Sequence, residues 1–324
     1  MSTITVRDIP LDDASPAQRL RRTAAAVRVH FTWWGVHKTL TAQQKEEVGL
    51  TYAADARFLT AGKKLVDTRH ETFRRLTSVR SRATNYWRGL TLPYTEPGIR
   101  LIQQSNVESL VHTMEGFREE LTQAETDLNT VYDQIQADAR RRLGRLYNAA
   151  DYPTEIRNLF SVDWNFPSVE PPSYLMRRAP EVYEEERRRV AARFDAAVRL
   201  AEQAFATEFA RHLSHLTARL ANGEDGQRQV FRDSVISNLT EFFSRFRELN
   251  VLSNPELDAL VEQAQQLVRG VQPQDLRDSA GLRRENSQER ARLHSRRIAC
   301  ETGEGRGDPC VRRGQPDRVT SRGR

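Results

Sequence analysis

The sequence predicts an all-α protein, an elongated bundle built on a long antiparallel, coiled-coil-like helical hairpin. Val107 to Leu146 and Pro180 to Leu220 each keep one apolar stripe at heptad-like spacing for about forty residues, well beyond a mean helix of about 11–12. A rod of that length, about 60 Å at ~1.5 Å per residue, cannot hide its stripe in an ordinary core. It needs another helix, and the second rod is the obvious partner. The segment between the two carries the prolines an antiparallel return requires.

In chain order, residues 1–104 read as a region of shorter helices. Pro16 to about His30 carries Leu20, Ala24 and Val27 at helical spacing, and Phe31, Trp33, Trp34 and Gly35 read as a packed turn. A short helix follows from Ala42, with Thr41 as its cap. The next opens on a Thr68/Glu71 capping box and buries Phe73, Leu76, Val79 and Ala83; Pro93 and Pro97-Gly98 close the region.

The hairpin occupies 105–222. Its first stripe runs from Val107 through Leu110, Met114, Leu121, Leu128 and Ile135 to Leu146, entered by a Ser105/Glu108 capping box. The connection, Tyr147 to Ala179, holds Asp151-Tyr152-Pro153, a short helix through Ile156 and Phe160, the extended run Val162 to Pro167, and Pro171-Pro172. The second stripe runs through Val190, Phe194, Val198, Phe205, Phe209 and Leu213 to Leu220. Pro180 sits in its first turn, and Asn222-Gly223 is a stop signal. Residues 223–276 supply two more helices, about Gln227 to Leu249 and Pro255 to Gly270, that complete the bundle.

Residues 277–324 read as a disordered basic tail. They hold 13 arginines against 7 acids, whereas the rest of the chain balances at 37 bases and 37 acids. The sequence pI of about 9.6 therefore comes from the tail, and such tails bind nucleic acid by counterion release. Cys300 and Cys310 form neither a disulfide framework nor a zinc spacing. No apolar run approaches ~18 residues, and the first residues lack a signal peptide's pattern, so no membrane span and a cytoplasmic location are expected.

An antiparallel hairpin makes Arg140, Arg141, Arg142 and Arg145 at the end of the first rod neighbours of Arg187, Arg188 and Arg189 at the start of the second. That tip is the candidate anion or nucleic-acid site. Glu181, Glu184, Glu185 and Glu186 share it, and Glu184 with Arg188 and Glu185 with Arg189 form helix-stabilising i, i+4 pairs, which shrinks the net patch. Trp33, Trp34, Trp164 and Phe166 are the candidate interaction aromatics. Glu208, His212 and His215 share a helix face at i, i+4 and i+7, the spacing of a metal site. Phe209 and Leu213 own the buried stripe there and no second cluster completes the coordination, so neither metal nor cofactor is expected. Gly62-Lys63-Lys64 lacks the upstream Gly and following Ser or Thr of a phosphate loop, and no catalytic motif is present.

Gly62-Lys63-Lys64-Leu65-Val66, Trp87 to Leu92, the two rods, and Tyr152-Pro153 leading through Phe160 to Trp164 and Pro167 resemble a helical domain-of-unknown-function family of phage and bacterial genomes. Members are often encoded near MoxR-type AAA+ ATPases and von Willebrand factor A proteins. The resemblance spans about Leu20 to Leu220 and implies a protein partner, an AAA+ ATPase, rather than an enzyme; it carries over no functional residues. The expected function is thus a non-enzymatic interaction or adaptor protein. The alternative is a nucleic-acid-binding protein using the arginine tip and the tail.

Overall fold

The computed structural model describes residues 14–221, 234–251 and 254–268; the basic tail and its two cysteines lie outside the described residues. Helix α1 (Pro16–Thr23) starts at Ser15, whose hydroxyl accepts from the Gln18 amide while the Gln18 side chain accepts from the Ser15 amide. It ends where the residue pattern changes period. From Ala24 onward Val27, Val29, Phe31 and Trp33 alternate with Arg28, His30 and Thr32, so the chain enters strand β1 (Ala24–Trp33) rather than continuing as a helix.

Strands β2 (His37–Thr39) and β3 (Gly62–Lys64) form a two-stranded ribbon, and helix α2 (Ala42–Tyr52) lies between them in sequence. Thr41 caps α2 in a capping box with Gln44. Helix α3 (Glu71–Gly89) leads into β4 (Thr91–Pro93) and β5 (Ile99–Gln103). Helices α4 (Val107–Thr130) and α5 (Tyr132–Leu143) follow, then β6 (Phe160–Asn165), α6 (Ser173–Arg178), α7 (Pro180–Ala221), α8 (Ser234–Leu249) and α9 (Pro255–Val268).

The fold is therefore mixed α and β, not all-α. β4, β5, β1 and β6 make a four-stranded antiparallel sheet in that order. β1 pairs with β5 over Ala24–Arg28 and with β6 over Arg28–Trp33, so its two halves serve opposite neighbours. Its odd-numbered residues join the core formed with Phe73, Leu76, Val79 and Ala83 of α3 and Leu110, Met114, Leu121, Ala124 and Leu128 of α4. On the opposite face the register places Ala26, Leu92 and Leu101 together, all buried. The β4–β5 turn also meets α7, where the rings of Tyr94 and Phe194 lie 5.7 Å apart.

The antiparallel hairpin does not form. The first stripe is broken at Val131, where φ −109° and ψ 8° leave the helical region, and it packs on α3 and the sheet instead of on α7. The second stripe divides. Of the described residues, those within Met1–Gln203 and Arg247–Ser253 form one compact unit, and those within Ala204–Phe246 and Asn254–Arg324 form another. Val190, Phe194, Val198 and Ala201 of α7 are buried in the first; Phe205, Phe209, Leu213 and Leu216 are buried in the second. There Phe209 stacks on Phe242 of α8 at 5.6 Å, and Phe205 meets Phe246 edge-on at 5.0 Å. Heptad-like spacing requires only that a stripe be covered; a sheet or two separate cores satisfy it as well as a coiled coil.

Two predicted caps are also replaced. Gln104–Asn106 form a 3-10 turn, so α4 is entered from Asn106 rather than through Ser105 and Glu108. His70 takes the N-cap position of α3, with its Nδ1 2.8 Å from the Thr72 hydroxyl. The extended reading of Val162 to Pro167 corresponds to β6, whereas Phe160 opens that strand instead of closing a helix.

The outer edge of β6 is closed by α4. Glu125, buried on α4, accepts the amides of Leu159 (2.9 Å) and Phe160 (3.2 Å), and the Arg118 guanidinium donates to the Val162 carbonyl at 3.3 Å. Glu125→Ala removes the side-chain acceptor of the Phe160 amide and leaves the Leu159 amide only the Ile156 carbonyl at 3.3 Å, so stability in urea unfolding should fall by about 1–3 kcal/mol. Glu125→Gln, which keeps a carbonyl acceptor, should cost about half as much or less; equal losses for the two variants would show that volume rather than hydrogen bonding holds the edge.

Candidate interaction site

The β2–β3 ribbon projects a poorly covered arm. Between Thr39 and Gly62 the chain forms α2, turns at Ala53 (φ 51°) and makes a 3-10 turn over Ala56–Phe58, capped by Asp55, whose carboxylate accepts the Arg57 amide at 2.9 Å. Gly49 is the one buried residue of α2. A Cβ there would meet the Ala54 carbonyl oxygen at 2.6 Å, so the tight return of the arm requires glycine. Leu50, Tyr52 and Phe58 on this arm are all more than three-quarters exposed.

The ribbon is held at its base by a buried charge pair. Lys63 Nζ lies 2.6 Å from Asp151 Oδ2 and donates to the Leu146 carbonyl at 2.6 Å, while Lys38 Nζ donates to Asp151 Oδ1 at 2.5 Å. Only 4% of the Asp151 side chain is exposed. The lysine hydrogen bonds, Lys38 first, hold its carboxyl below the usual carboxylate range. Beside it Tyr152 donates to the Leu65 carbonyl at 3.0 Å, and burial, with the nearby Tyr147 and Asp151, pushes its hydroxyl up to about 12.

Next to the ribbon, the segment from Lys64 to His70 and helix α5 enclose a groove of about 630 Å³. Buried Leu65, Val66, Ile135 and Ala139 line it, and Asp67, Arg69, Asp138 and Arg142 stand on its rim. Arg142 reaches Asp67 at 3.3 Å and Asp138 at 3.9 Å, and Arg141 pairs with Asp138. Arg145, in the turn after α5, reaches Glu47 of α2 at 3.5 Å, which brings the C-terminal end of α5 beside the arm. The Arg69 amide, donating to its carboxylate, is the main cause holding Asp67 below its ordinary range. The guanidinium of Arg140 lies 5.9 Å from the Tyr147 ring centroid.

The predicted arginine tip is not assembled, because the hairpin that would assemble it is absent. Arg141, Arg142 and Arg145 pair across to α2 and the segment before α3, or within α5. Arg187 and Arg189 pair within α7, to Glu184 (3.2 Å) and to Glu185 and Glu186 (both 2.5 Å), and Arg188 donates to the Glu184 carbonyl at 3.4 Å. Three of the four predicted aromatics belong to the packing of the first unit. Trp33 meets Phe160 edge-on at 4.8 Å under the Arg80 guanidinium, Trp34 lies 6.2 Å from Tyr132, and Trp164 carries Arg118 at 4.3 Å. Phe166 is on the surface.

In the second unit Glu208 is engaged by Arg245 and lies 3.6 Å from His212 Nε2, while His215 is exposed. Burial is the main cause lowering the His212 pKa, so the ring is neutral at pH 7. Among the described residues no three His, Cys, Asp or Glu side chains are grouped to hold a metal ion. No helix among them is long and apolar enough to cross a membrane. No family model matches the chain, and comparison with curated proteins and with solved structures finds no match.

Sequence reasoning passed over Leu50, Tyr52, Phe58 and the Lys63–Asp151 pair. The available signal was a helix, α2, with no apolar stripe of its own, and a cluster of all four lysines of the chain around it. Because the Asp151 carboxyl is depressed in the folded protein, its contribution is present above the unfolded value of about 3.9 and is lost as pH falls through the lower folded value. The difference between the urea midpoints of the parent and Asp151→Asn should be constant near neutral pH and shrink as pH falls below about 3.9, the unfolded value. A gap that stays constant below that value would assign the effect to packing.

Proposed function

We propose that the protein acts by binding another protein, as a non-enzymatic adaptor, through the α2 arm and the groove beside α5. The observation that carries this reading is the exposure of Leu50, Tyr52 and Phe58 on one short excursion of the chain. Single exposed apolar residues are ordinary, but three large ones within nine residues, next to an apolar-lined groove, form the kind of surface that a partner covers. The groove volume also falls in the range of about 300–1,000 Å³ typical of binding clefts. The resemblance of the chain to a family encoded near MoxR-type ATPases makes an AAA+ ATPase the first partner to test, and a cytoplasmic setting belongs to the same reading.

Affinity purification of the full-length chain from its native host, with and without nuclease, tests the role. A protein partner should survive nuclease treatment and should be reduced at least about tenfold by Leu50→Ser combined with Phe58→Ser, a loss of about 1.4 kcal/mol. Recovery that depends on nucleic acid, or a partner held equally by the double variant, would overturn the reading.

A further inference from the structure

The ion pairs around the arm and groove are built asymmetrically. In the Arg69–Asp67 pair the arginine side chain is 91% exposed and the aspartate 28%. In the Arg141–Asp138 pair the values are 78% and 24%. Arg57 over Asp55 and Arg145 over Glu47 lean the same way. In the two pairs on the groove the acid is tucked against the protein and the guanidinium extends outward, so an approaching group meets the cation first; on the arm Asp55 and Glu47 are themselves 41% and 52% exposed. The formal charges nearly cancel, yet the outermost groups on the groove rim are guanidinium groups.

From this arrangement we propose that the arm and groove receive an acidic amphipathic helix of a partner protein. The inference rests on the adaptor reading above and names the chemistry of the partner. The partner's apolar side chains would cover Leu50 and Phe58 and enter the groove lined by Leu65, Val66, Ile135 and Ala139. Its carboxylates would share the guanidinium groups of Arg69, Arg141, Arg142 and Arg145, which have N–H donors left over from their existing pairs. This is recognition of a helix by a groove, in which apolar contacts supply affinity and charges set orientation and choice.

A nucleic acid fits less well. Asp67, Asp138 and Glu47 oppose a phosphate chain as they oppose a partner's carboxylates, so the rim charges alone do not separate the two. The apolar surface does, because a nucleic acid leaves Leu50 and the groove uncovered. A basic helix meets the guanidinium layer head-on.

Fluorescence anisotropy with the full-length chain and defined probes tests the proposal. The probes are a labelled amphipathic peptide of about three heptads with leucine on one face and glutamate on the other, the same peptide with glutamine or lysine in place of glutamate, and a single-stranded DNA of similar length. The glutamate peptide should bind at least about tenfold more tightly than the glutamine one, and the preference should shrink as salt rises from about 0.05 to 0.5 M. Arg141→Gln with Arg145→Gln should weaken it about fivefold, while Arg141→Lys with Arg145→Lys should keep most of the binding. Circular dichroism and the thermal midpoint of these surface variants should match the parent, which separates lost recognition from lost folding.

Equal binding of the glutamate and glutamine peptides would overturn the acidic partner and leave the adaptor role standing. Preference for the lysine peptide, or binding of DNA alone, would overturn it as well. Absence of any nuclease-resistant protein partner in the host purification would remove the reading on which it rests.

Discussion

The sheet of the first unit ends in β6, and the outer edge of that strand is closed by side chains of α4 rather than by another strand. Closure requires α4 to lie flat on the sheet, and its apolar stripe accomplishes this. Five of its side chains, Leu110, Met114, Leu121, Ala124 and Leu128, are at most 1% exposed. At about 1.5–3 kcal/mol for each large side chain, their burial outweighs the 1–3 kcal/mol at stake in an orphaned edge amide. Apolar packing therefore decides that α4 docks, and Glu125 and Arg118 decide where along β6 it docks. The rest of the sheet follows from that register, because β1 pairs with β6 on one side and β5 on the other.

The α2 arm depends on a second, smaller constraint. α2 buries little of itself, so its position comes from the ribbon below it and the Lys63–Asp151 pair at the base of the ribbon. Enclosing two opposite charges costs about as much desolvation as the attraction returns, and such a pair adds specificity more than stability. Here it ties β3 to the segment after α5, with Lys63 also donating to the Leu146 carbonyl and Lys38 of β2 donating to Asp151 Oδ1. An arm anchored at one end and lightly packed along its length sits at the low end of local stability, where binding segments are commonly found.

The legibility of the sequence followed the reach of each signal. Helical periodicity found α3, α4, α7, α8 and α9, and the buried positions Phe73, Leu76, Val79 and Ala83 are those the spacing marks. Periodicity says that a face is covered and is silent about what covers it, so two long stripes read as one hairpin while the chain placed a sheet against the first and two cores along the second. β1 was hidden because Leu20, Ala24 and Val27 match a helical step by coincidence across the junction of α1 and β1. The alternation of Val27, Val29, Phe31 and Trp33 was the decisive pattern, and it begins only after that junction. Of the candidate site, Arg141, Arg142 and Arg145 were marked by their clustering. Their partners Asp67 and Glu47 are remote in sequence, and no local rule joins them.

The rim of ion pairs has a consequence beyond recognition. Exposed pairs of this kind contribute about 0–1 kcal/mol each, too little to explain their concentration around the arm by stability. Three exposed apolar side chains without charge around them would invite a second copy of the chain to cover them. With guanidinium groups outermost on both copies, that approach brings like charges together, whereas a helix bearing carboxylates brings opposite ones. On the groove rim the tucked Asp67 and Asp138 pair with arginines whose guanidinium groups stand further out. Under the proposed reading, the same few pairs would work against self-association and toward a partner of opposite charge, a selectivity that the apolar arm and groove alone would not supply.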